Sequence, residues 1–396
     1  MVLNEQINAQ KTISILGSTG SIGKNTLDLI SLDSEKYKIE LLSCLNNYKL
    51  LAQQALEFNP KKVVLGNPDY YKDLKELLTG TNIEIFVGRK ALIDCSAIPV
   101  DWVMSAIVGI AGLEPSIAAV KQGTTVALAN KECLVSAGDL FMSEVRNNSS
   151  LLLPVDSEHN GIFQILNLDS YKEIDKIILT ASGGPFLNLD KEEFINISPN
   201  EALAHPNWSM GPKISIDSAT MMNKGLELIE AYYFFIEKKS NIKLDIIVHP
   251  QSIVHALVQY IDGSTIVQMS TPDMKIPISH TLNWPNRTKN SAKKIDLAVA
   301  GSLTFQEPDL VKFPAIKICK DVLESDEEYG VALNAANEES VLAFLSGKIK
   351  FIDIINIVRN VLDLYEPKKT SNIEEIVQLD YLSREITKKE IMKCMI

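Results

Sequence analysis

Acidic, amide, hydroxyl and ammonium side chains gather in two stretches of this chain where a folded core would call for apolar ones. In the first, Leu153 to Gln164 (LPVDSEHNGIFQ), an apolar strand runs directly into Asp156, Ser157, Glu158, His159 and Asn160. Asp156 and Glu158 stand two residues apart, so continued strand spacing predicts both carboxylates on one face. In the second stretch, His205 to Ala231, the residues Asn223, Glu227 and Glu230 fall at i, i+4 and i+7. A helix lines these up as one polar stripe, with Met222, Leu226, Ile229 and Tyr233 as the apolar stripe opposite. Each acid taken singly reads as a solvated surface group. Together, two carboxylates from a strand end and one or two from a helix, with no cysteine or histidine at zinc spacing, suit a hard divalent cation such as Mg2+ or Mn2+.

A second kind of chemistry is written at the N-terminus. Lys11 to Ile30 (KTISILGSTGSIGKNTLDLI) reads as a short strand, a turn carrying Gly17, Gly20 and Gly23, and a helix opening near Ser21. Glycines there let the backbone approach a pyrophosphate, and the helix start aims free N–H groups and its dipole at the anion. The spacing is GxxGxxG, not GxGxxG, yet a second strand follows at βαβ distance, which favours a dinucleotide over a mere glycine-rich turn. At the end of that strand an NAD site would place a carboxylate for the ribose 2'-hydroxyl, whereas this chain has Cys44, Leu45, Asn46, Asn47 and Tyr48. With no acid to repel a 2'-phosphate, NADPH is the expected cofactor.

The elements needed to position these groups fall into an α/β plan. From Thr12 to Leu153, strands at Thr12 to Leu16, Lys38 to Leu45, Lys62 to Leu65, Trp102 to Ser105, Thr125 to Ala127 and Leu151 to Leu153 alternate with helical stretches, as in a doubly wound sheet. Strands at Ile177 to Thr180 and Ile246 to His249, and a hairpin over Ile253 to Ser270 turning at Asp262-Gly263, indicate an α+β region whose exposed hairpin face could contact a second copy. Prolines at 272, 277, 285 and 308 mark a loop and linker region, and helical spacing resumes from Ala315. The expected domains are therefore 1–154 (dinucleotide-binding, Rossmann-like), 155–290 (catalytic and dimerisation, α+β, with a mobile loop at about 205–213), a linker at 291–314 and a helical bundle at 315–396.

A chain of 396 residues is long enough for more than one core, and its net charge of −11 with a pI near 5.1 argues against nucleic-acid binding. Five cysteines without a CxxC pair fit a reduced compartment. No apolar run reaches membrane-spanning length, and MVLNEQINAQK lacks the pattern of a signal or transit peptide, so a cytoplasmic protein is expected.

GSTGSIG, ALANKE, PVDSEHN, SGGPF, HPNWSMGPKISIDSATMMNKGLELIEA and HPQSIVHALV occur in this order. On these motifs the chain resembles the 1-deoxy-D-xylulose 5-phosphate reductoisomerase family from Lys11 to beyond Glu339. The resemblance implies a homodimeric enzyme of the non-mevalonate isoprenoid pathway, dependent on NADPH and a divalent metal, that turns 1-deoxy-D-xylulose 5-phosphate into 2-C-methyl-D-erythritol 4-phosphate. It places the metal on Asp156, Glu158 and Glu227, the carboxylates already singled out, with Glu230 beside them. Substrate contacts are implied for Ser157, Glu158, Ser182, His205, Ser218, Asn223, Lys224 and Glu227, the phosphate lying among Ser182, Ser218, Asn223 and Lys224, whose donors suit an anion. Lys131 is implied near the reacting oxygens, Asn130 and Glu132 on the nicotinamide side, and Thr19, Gly20, Ser21, Ile22, Asn47 and Gly211 at other parts of the cofactor. Trp208 is expected in a lid begun by His205, while His159, His249, His255 and His280 read as structural. Two departures from the family pattern stand out: Leu45-Asn46-Asn47, where only Asn47 matches, and Gly161 in place of alanine.

Overall fold

Short runs of Val, Ile and Leu form a parallel sheet because helices cover both of its faces, leaving its strands no solvated side to make polar. Its strands are β1 (Lys11–Leu16), β2 (Tyr37–Cys44), β3 (Lys62–Leu65), β4 (Glu84–Val87), β5 (Trp102–Ser105), β6 (Thr125–Leu128) and β7 (Leu152–Pro154), in the order β4-β3-β2-β1-β5-β6-β7. The structure, a computed structural model, describes residues 10–208, 210–238, 240–325 and 328–395. β1 lies between β2 and β5, so the strand order reverses there. That switch point is where open α/β sheets bind nucleotides, and the Gly17 loop leaves β1 at its carboxyl end. β4 is absent from the sequence reading: it is a four-residue edge strand, Glu-Ile-Phe-Val, with exposed ends and no fully buried residue.

The described residues of 10–130, 143–155 and 274–291 make one compact unit, and those of 131–142, 156–273 and 292–395 another. These units divide the chain differently from the expected domains at two places. Residues 274–291 do not belong with the central region: the helix Lys275–Asn283 buries Ile278 and Leu282 in the core of the parallel-sheet unit. Trp102 Nε1 donates to the carbonyl of Thr281 at 3.1 Å, and Lys11 Nζ to that of Leu282 at 2.7 Å. The first turns of the helix Glu132–Asn147, expected within the N-terminal domain, cluster with the second unit, the helix breaking near Ala137, whose φ of −145° is not helical.

In the second unit, β8 (Ile174–Ala181), β9 (Lys243–Val248), β10 (Val254–Tyr260) and β11 (Thr265–Met269) form a mixed sheet in the order β11-β10-β8-β9. β10 runs antiparallel to both neighbours, and β8 parallel to β9. The Asp262-Gly263 turn closes as expected, with Gly263 at φ +87° and Asp262 Oδ1 accepting from the Ser264 amide. Helices Ala315–Glu324, Gly330–Leu345, Phe351–Leu364 and Ile373–Cys394 follow. They form the expected C-terminal helical region and share one hydrophobic core with the mixed sheet. Close packing explains it: a Cβ on Gly225 would lie 2.5 Å from Cys319 Sγ. The expected linker holds a short helix, Leu297–Ala300, and Gln306 bridges to Val248. Among the described residues no helix is long and apolar enough to cross a membrane.

Candidate active site

The carboxylates meet, by a route other than strand spacing. β7 ends at Pro154, and Asp156 becomes the N-cap of the helix Ser157–Ile165, its Oδ1 accepting from the Glu158 amide at 3.3 Å. Asp156 and Glu158 thus converge through a helical first turn, where the dipole also favours negative charge. The helix Met222–Phe235 behaves as its periodicity predicts, burying Glu227 and Glu230. Ligand oxygens of Asp156, Glu158 and Glu227 all lie within 4.8 Å of one another. Oxygens at about 2.1 Å from a small divalent cation are at most about 4.2 Å apart, so a slight contraction would suit one, and the all-oxygen donor set is of the right hardness.

Two ammonium groups are threaded through this cluster. Lys131 Nζ lies 2.6 Å from Asp156 Oδ2, 2.8 Å from Asn223 Oδ1 and 3.1 Å from Glu227 Oε1. Lys224 Nζ reaches Glu158 Oε1 at 2.9 Å and also bonds Glu227 Oε2. Asn223 Nδ2 donates to Glu227 Oε1, and Ser157 Oγ to Glu158 Oε2 at 2.6 Å. Burial and the neighbouring Glu227 push the Glu158 carboxyl up to about 8, whereas for Asp156 the pull of Lys131 and His159 overcomes burial and holds it well below the usual range. Adjacent carboxylates driven in opposite directions mark a site that crowds negative charge.

Glu230 and His159 stand behind Asp156. Both are fully buried, with His159 Nδ1 3.3 Å from Glu230 Oε2 and 3.5 Å from Asp156 Oδ1. His159 Nε2 donates to the Glu227 carbonyl at 2.7 Å. Burial lowers the imidazole's basicity, but Glu230 and Asp156 more than offset this and raise it to about 9; burial lifts Glu230 to about 7. His159, read as structural, is a buried brace whose ring bonds the Glu227 backbone carbonyl and lies beside the carboxylates of Asp156 and Glu230. Its place three residues after Asp156, one turn along the same helix, was the available signal.

β8 delivers Ser182 at its carboxyl end. Ser182 Oγ accepts from the Gly184 amide at 3.2 Å and lies 3.0 Å from His205 Nε2. A Cβ on Gly184 would sit 2.7 Å from the Ser218 carbonyl, so that glycine brings the Ser182 turn against Ser218. Amides of Asn207 and Trp208 donate to His205 Nδ1 at 3.2 and 3.0 Å, so Nε2 carries the proton and donates to Ser182. Trp208 is half-buried, edge-on to His255 with ring centroids 6.2 Å apart, and Asn207 Nδ2 holds the Pro250 carbonyl at 2.6 Å. Ser209, within the expected lid, lies outside the described residues. Gly211 is exposed and caps the helix Pro212–Ala219.

On the nucleotide side, Gly17 has φ +88°, and any Cβ there would sit 2.7 Å from the Ala106 carbonyl. Gly20 is the N-cap of the helix Ser21–Ser31 with no side-chain cap, so the first-turn amides at Ser21 and Ile22 are open to an anion. Thr19 bonds the Cys44 thiol, which burial raises to about 12. Asn47 is committed as a helix cap, accepting from the Leu50 amide at 3.3 Å, while Asn46 receives Asn67 Nδ2 at 3.0 Å and Tyr48 stacks on Tyr70. Asn130 Nδ2 donates to the Gly109 carbonyl at 2.8 Å. Glu132 pairs with Lys213 at 2.6 Å, which outweighs burial and lowers its carboxyl.

A doubly wound parallel sheet with a glycine-rich first turn, and a tricarboxylate cluster carried by the helices Ser157–Ile165 and Met222–Phe235, define a nucleotide-dependent oxidoreductase that works with a hard metal. Family models agree with more than half of the chain: 1-deoxy-D-xylulose 5-phosphate reductoisomerase over 13–138, its C-terminal domain over 152–235, and a DXP reductoisomerase C-terminal domain over 269–386. The reductoisomerase of Zymomonas mobilis subsp. mobilis is 46% identical over 374 residues, covering 94% of this chain and 96% of its own, and that of Wolbachia pipientis subsp. Culex pipiens is 46% identical over 387 residues, covering 97% and 98%. A solved Zymomonas mobilis enzyme in complex with NADPH superposes with a TM-score of 0.90 at 43% identity, covering 97% of this chain and 99% of that one. Another, in complex with NADPH, fosmidomycin and magnesium, gives 0.91 at 42% identity, covering 96% and 98%. The chain belongs to the 1-deoxy-D-xylulose 5-phosphate reductoisomerase family.

Proposed function

We propose that Asp156, Glu158 and Glu227 hold the divalent cation, and that Thr19, Gly20, Ser21, Ile22, Asn47, Asn130, Glu132 and Gly211 contact NADPH, in the reaction this enzyme catalyses: isomerisation and reduction of 1-deoxy-D-xylulose 5-phosphate to 2-C-methyl-D-erythritol 4-phosphate. The observation that carries the reading is the convergence of three carboxylates within 4.8 Å around two ammonium groups. Solved relatives in complex with NADPH and with magnesium support it. Magnesium or manganese, when bound, polarises the substrate ketone and stabilises negative charge on its oxygen. Lys131 presents an ammonium to the same reacting oxygens. Because His205 Nε2 donates to Ser182 Oγ, the Ser182 hydroxyl keeps its own proton for an acceptor, which suits a phosphate oxygen. Ser218, Asn223 and Lys224 supply further donors, Lys224 exchanging its present carboxylate partners for the phosphate. Trp208, carried on the loop after His205, covers the substrate and excludes water from the reduction.

The test mixes the protein with 1-deoxy-D-xylulose 5-phosphate, Mn2+ and either NADPH or NADH, and follows loss of reduced nicotinamide absorbance. Turnover should need the metal and favour NADPH in the ratio of specificity constants, since no carboxylate at 44–48 repels a 2'-phosphate. Turnover that survives a chelator would remove the cation from the reading, and equal use of both cofactors would remove the 2'-phosphate argument.

We further read the chain as a cytoplasmic homodimer. β11 is an edge strand with Ile266 and Val267 exposed, a surface a second copy could cover, and the free cysteines fit a reduced compartment. Light scattering should return twice the 43.9 kDa chain mass; a monomer at micromolar concentration would refute the dimer.

A further inference from the structure

Lys213 opens the helix Pro212–Ala219, directly after the Trp208 loop, and its ammonium sits between two buried acids. Nζ lies 2.6 Å from Glu132 Oε1 and 2.8 Å from Asp217 Oδ2. Asp217 Oδ1 in turn accepts from Asn337 Nδ2 at 2.8 Å, and Asn337 stands on the helix Gly330–Leu345. Asp217 and Asn337 are essentially inaccessible to solvent. Helix stability does not explain this placement: a cation in a first turn opposes the dipole, and buried ion pairs contribute little net stability. What the arrangement does accomplish is to hold Glu132 in one place. Glu132 follows Lys131 in the turn that starts the helix Glu132–Asn147, and the Lys131 carbonyl accepts from the Leu134 and Val135 amides. Glu132 is thus the chain neighbour of Lys131, whose ammonium bonds Asp156 and Glu227. The same C-terminal helix presses on this turn from a second point, since a Cβ on Gly330 would fall 1.9 Å from the Val135 carbonyl.

We propose that Lys213 is a positioning residue, tying the downstream end of the Trp208 loop to the Lys131-Glu132 turn, with Asp217 and Asn337 fixing its ammonium in register. The helix Gly330–Leu345 thereby acts on cofactor binding through Asp217 and Lys213. This rests on the reading of Glu132 as a nicotinamide-side contact, so the test separates the two.

NADPH affinity is measured by fluorescence for Glu132→Gln, Lys213→Met and the double variant, alongside kcat and KM for both substrates. Removing a charge-assisted hydrogen bond should weaken NADPH binding about tenfold in each single variant, and the double variant should be no worse than either, as expected of one shared interaction. KM for the phosphorylated sugar should hold within about twofold while kcat falls with Lys131 misplaced; a merely structural lysine would lower the melting temperature without that division. If Lys213→Met does not fold, Lys213→Gln, which retains an amide donor, takes its place in the same cycle. Glu132→Gln weakening NADPH while the Lys213 variant does not would overturn the inference alone, as would an additive double variant. No change in either single variant would overturn the Glu132 reading as well.

Discussion

Glu227→Gln should cut turnover about a thousandfold at limiting Mn2+, a loss of about 4 kcal/mol of transition-state stabilisation, while NADPH affinity stays within about twofold. Glu227 is the most heavily used group of the cluster. Its Oε1 receives Lys131 and Asn223, its Oε2 receives Lys224, and its carbonyl receives His159. Glutamine fills the same volume but turns one of those oxygens into an N–H donor, which must then face an ammonium or an amide donor. One negative charge leaves the site, and two lysines compete for the acids that remain. The glycine turn after β1 belongs to the other compact unit. The check is a Mn2+ titration of kcat beside NADPH binding by fluorescence quenching. Near-normal turnover at low Mn2+ would show that Glu227 is no metal ligand, and loss of NADPH binding in parallel would show the damage to be global.

The helix Met222–Phe235 was legible because its polar and apolar stripes repeat at 3.6 residues, and the glycine turn because strand, glycines and helix arrive in order. Strand spacing put Asp156 and Glu158 on one face for the wrong reason. Nothing in PVDSEHN says that the strand stops at Pro154, and only the Asp156 side chain's bond to the Glu158 amide reveals the helix start. The partner of His159 was not legible because Glu230 is 71 positions away in number and one contact away in space. The same limit hid Lys213: its spacing to Asp217 is local, but Glu132 is brought in by tertiary packing. Gly161 reads as a harmless alanine replacement in the sequence, whereas a Cβ there would sit 3.2 Å from that of Ala256 and 3.1 Å from Gln268 Oε1, tight enough that β10 or the Gln268 side chain must yield. Segment 274–291 joins the parallel-sheet core through a short helix whose buried face, Ile278 and Leu282, carries too few residues to register as a period.

A ligand with a hydroxamate at one end and a phosphonate at the other, about three carbons apart, should inhibit this enzyme far better than either half. The paired hydroxamate oxygens imitate the substrate's ketone and adjacent hydroxyl, and so should address the cation we propose at Asp156, Glu158 and Glu227. The phosphonate addresses Ser182, Ser218, Asn223 and Lys224. Asn223 and Lys224 join the two halves physically, because both project from the helix that carries Glu227 and both bond its carboxylate. Linking the ends makes the second contact intramolecular, which is worth about a hundredfold to ten-thousandfold over the separate halves when the spacer fits. Inhibition should therefore depend on the metal and fall steeply in Lys224→Ala. Ser182→Ala serves as the milder companion, since Ser182 bonds His205 and the Gly184 amide rather than the carboxylates. The measurement is an inhibition constant with and without Mn2+ for the wild-type chain and both variants, run beside hydroxamate-only and phosphonate-only compounds. Potency that ignores the metal would detach the hydroxamate from the carboxylate cluster, and potency unchanged in both variants would detach the phosphonate from the donors after β8 and along the Met222–Phe235 helix.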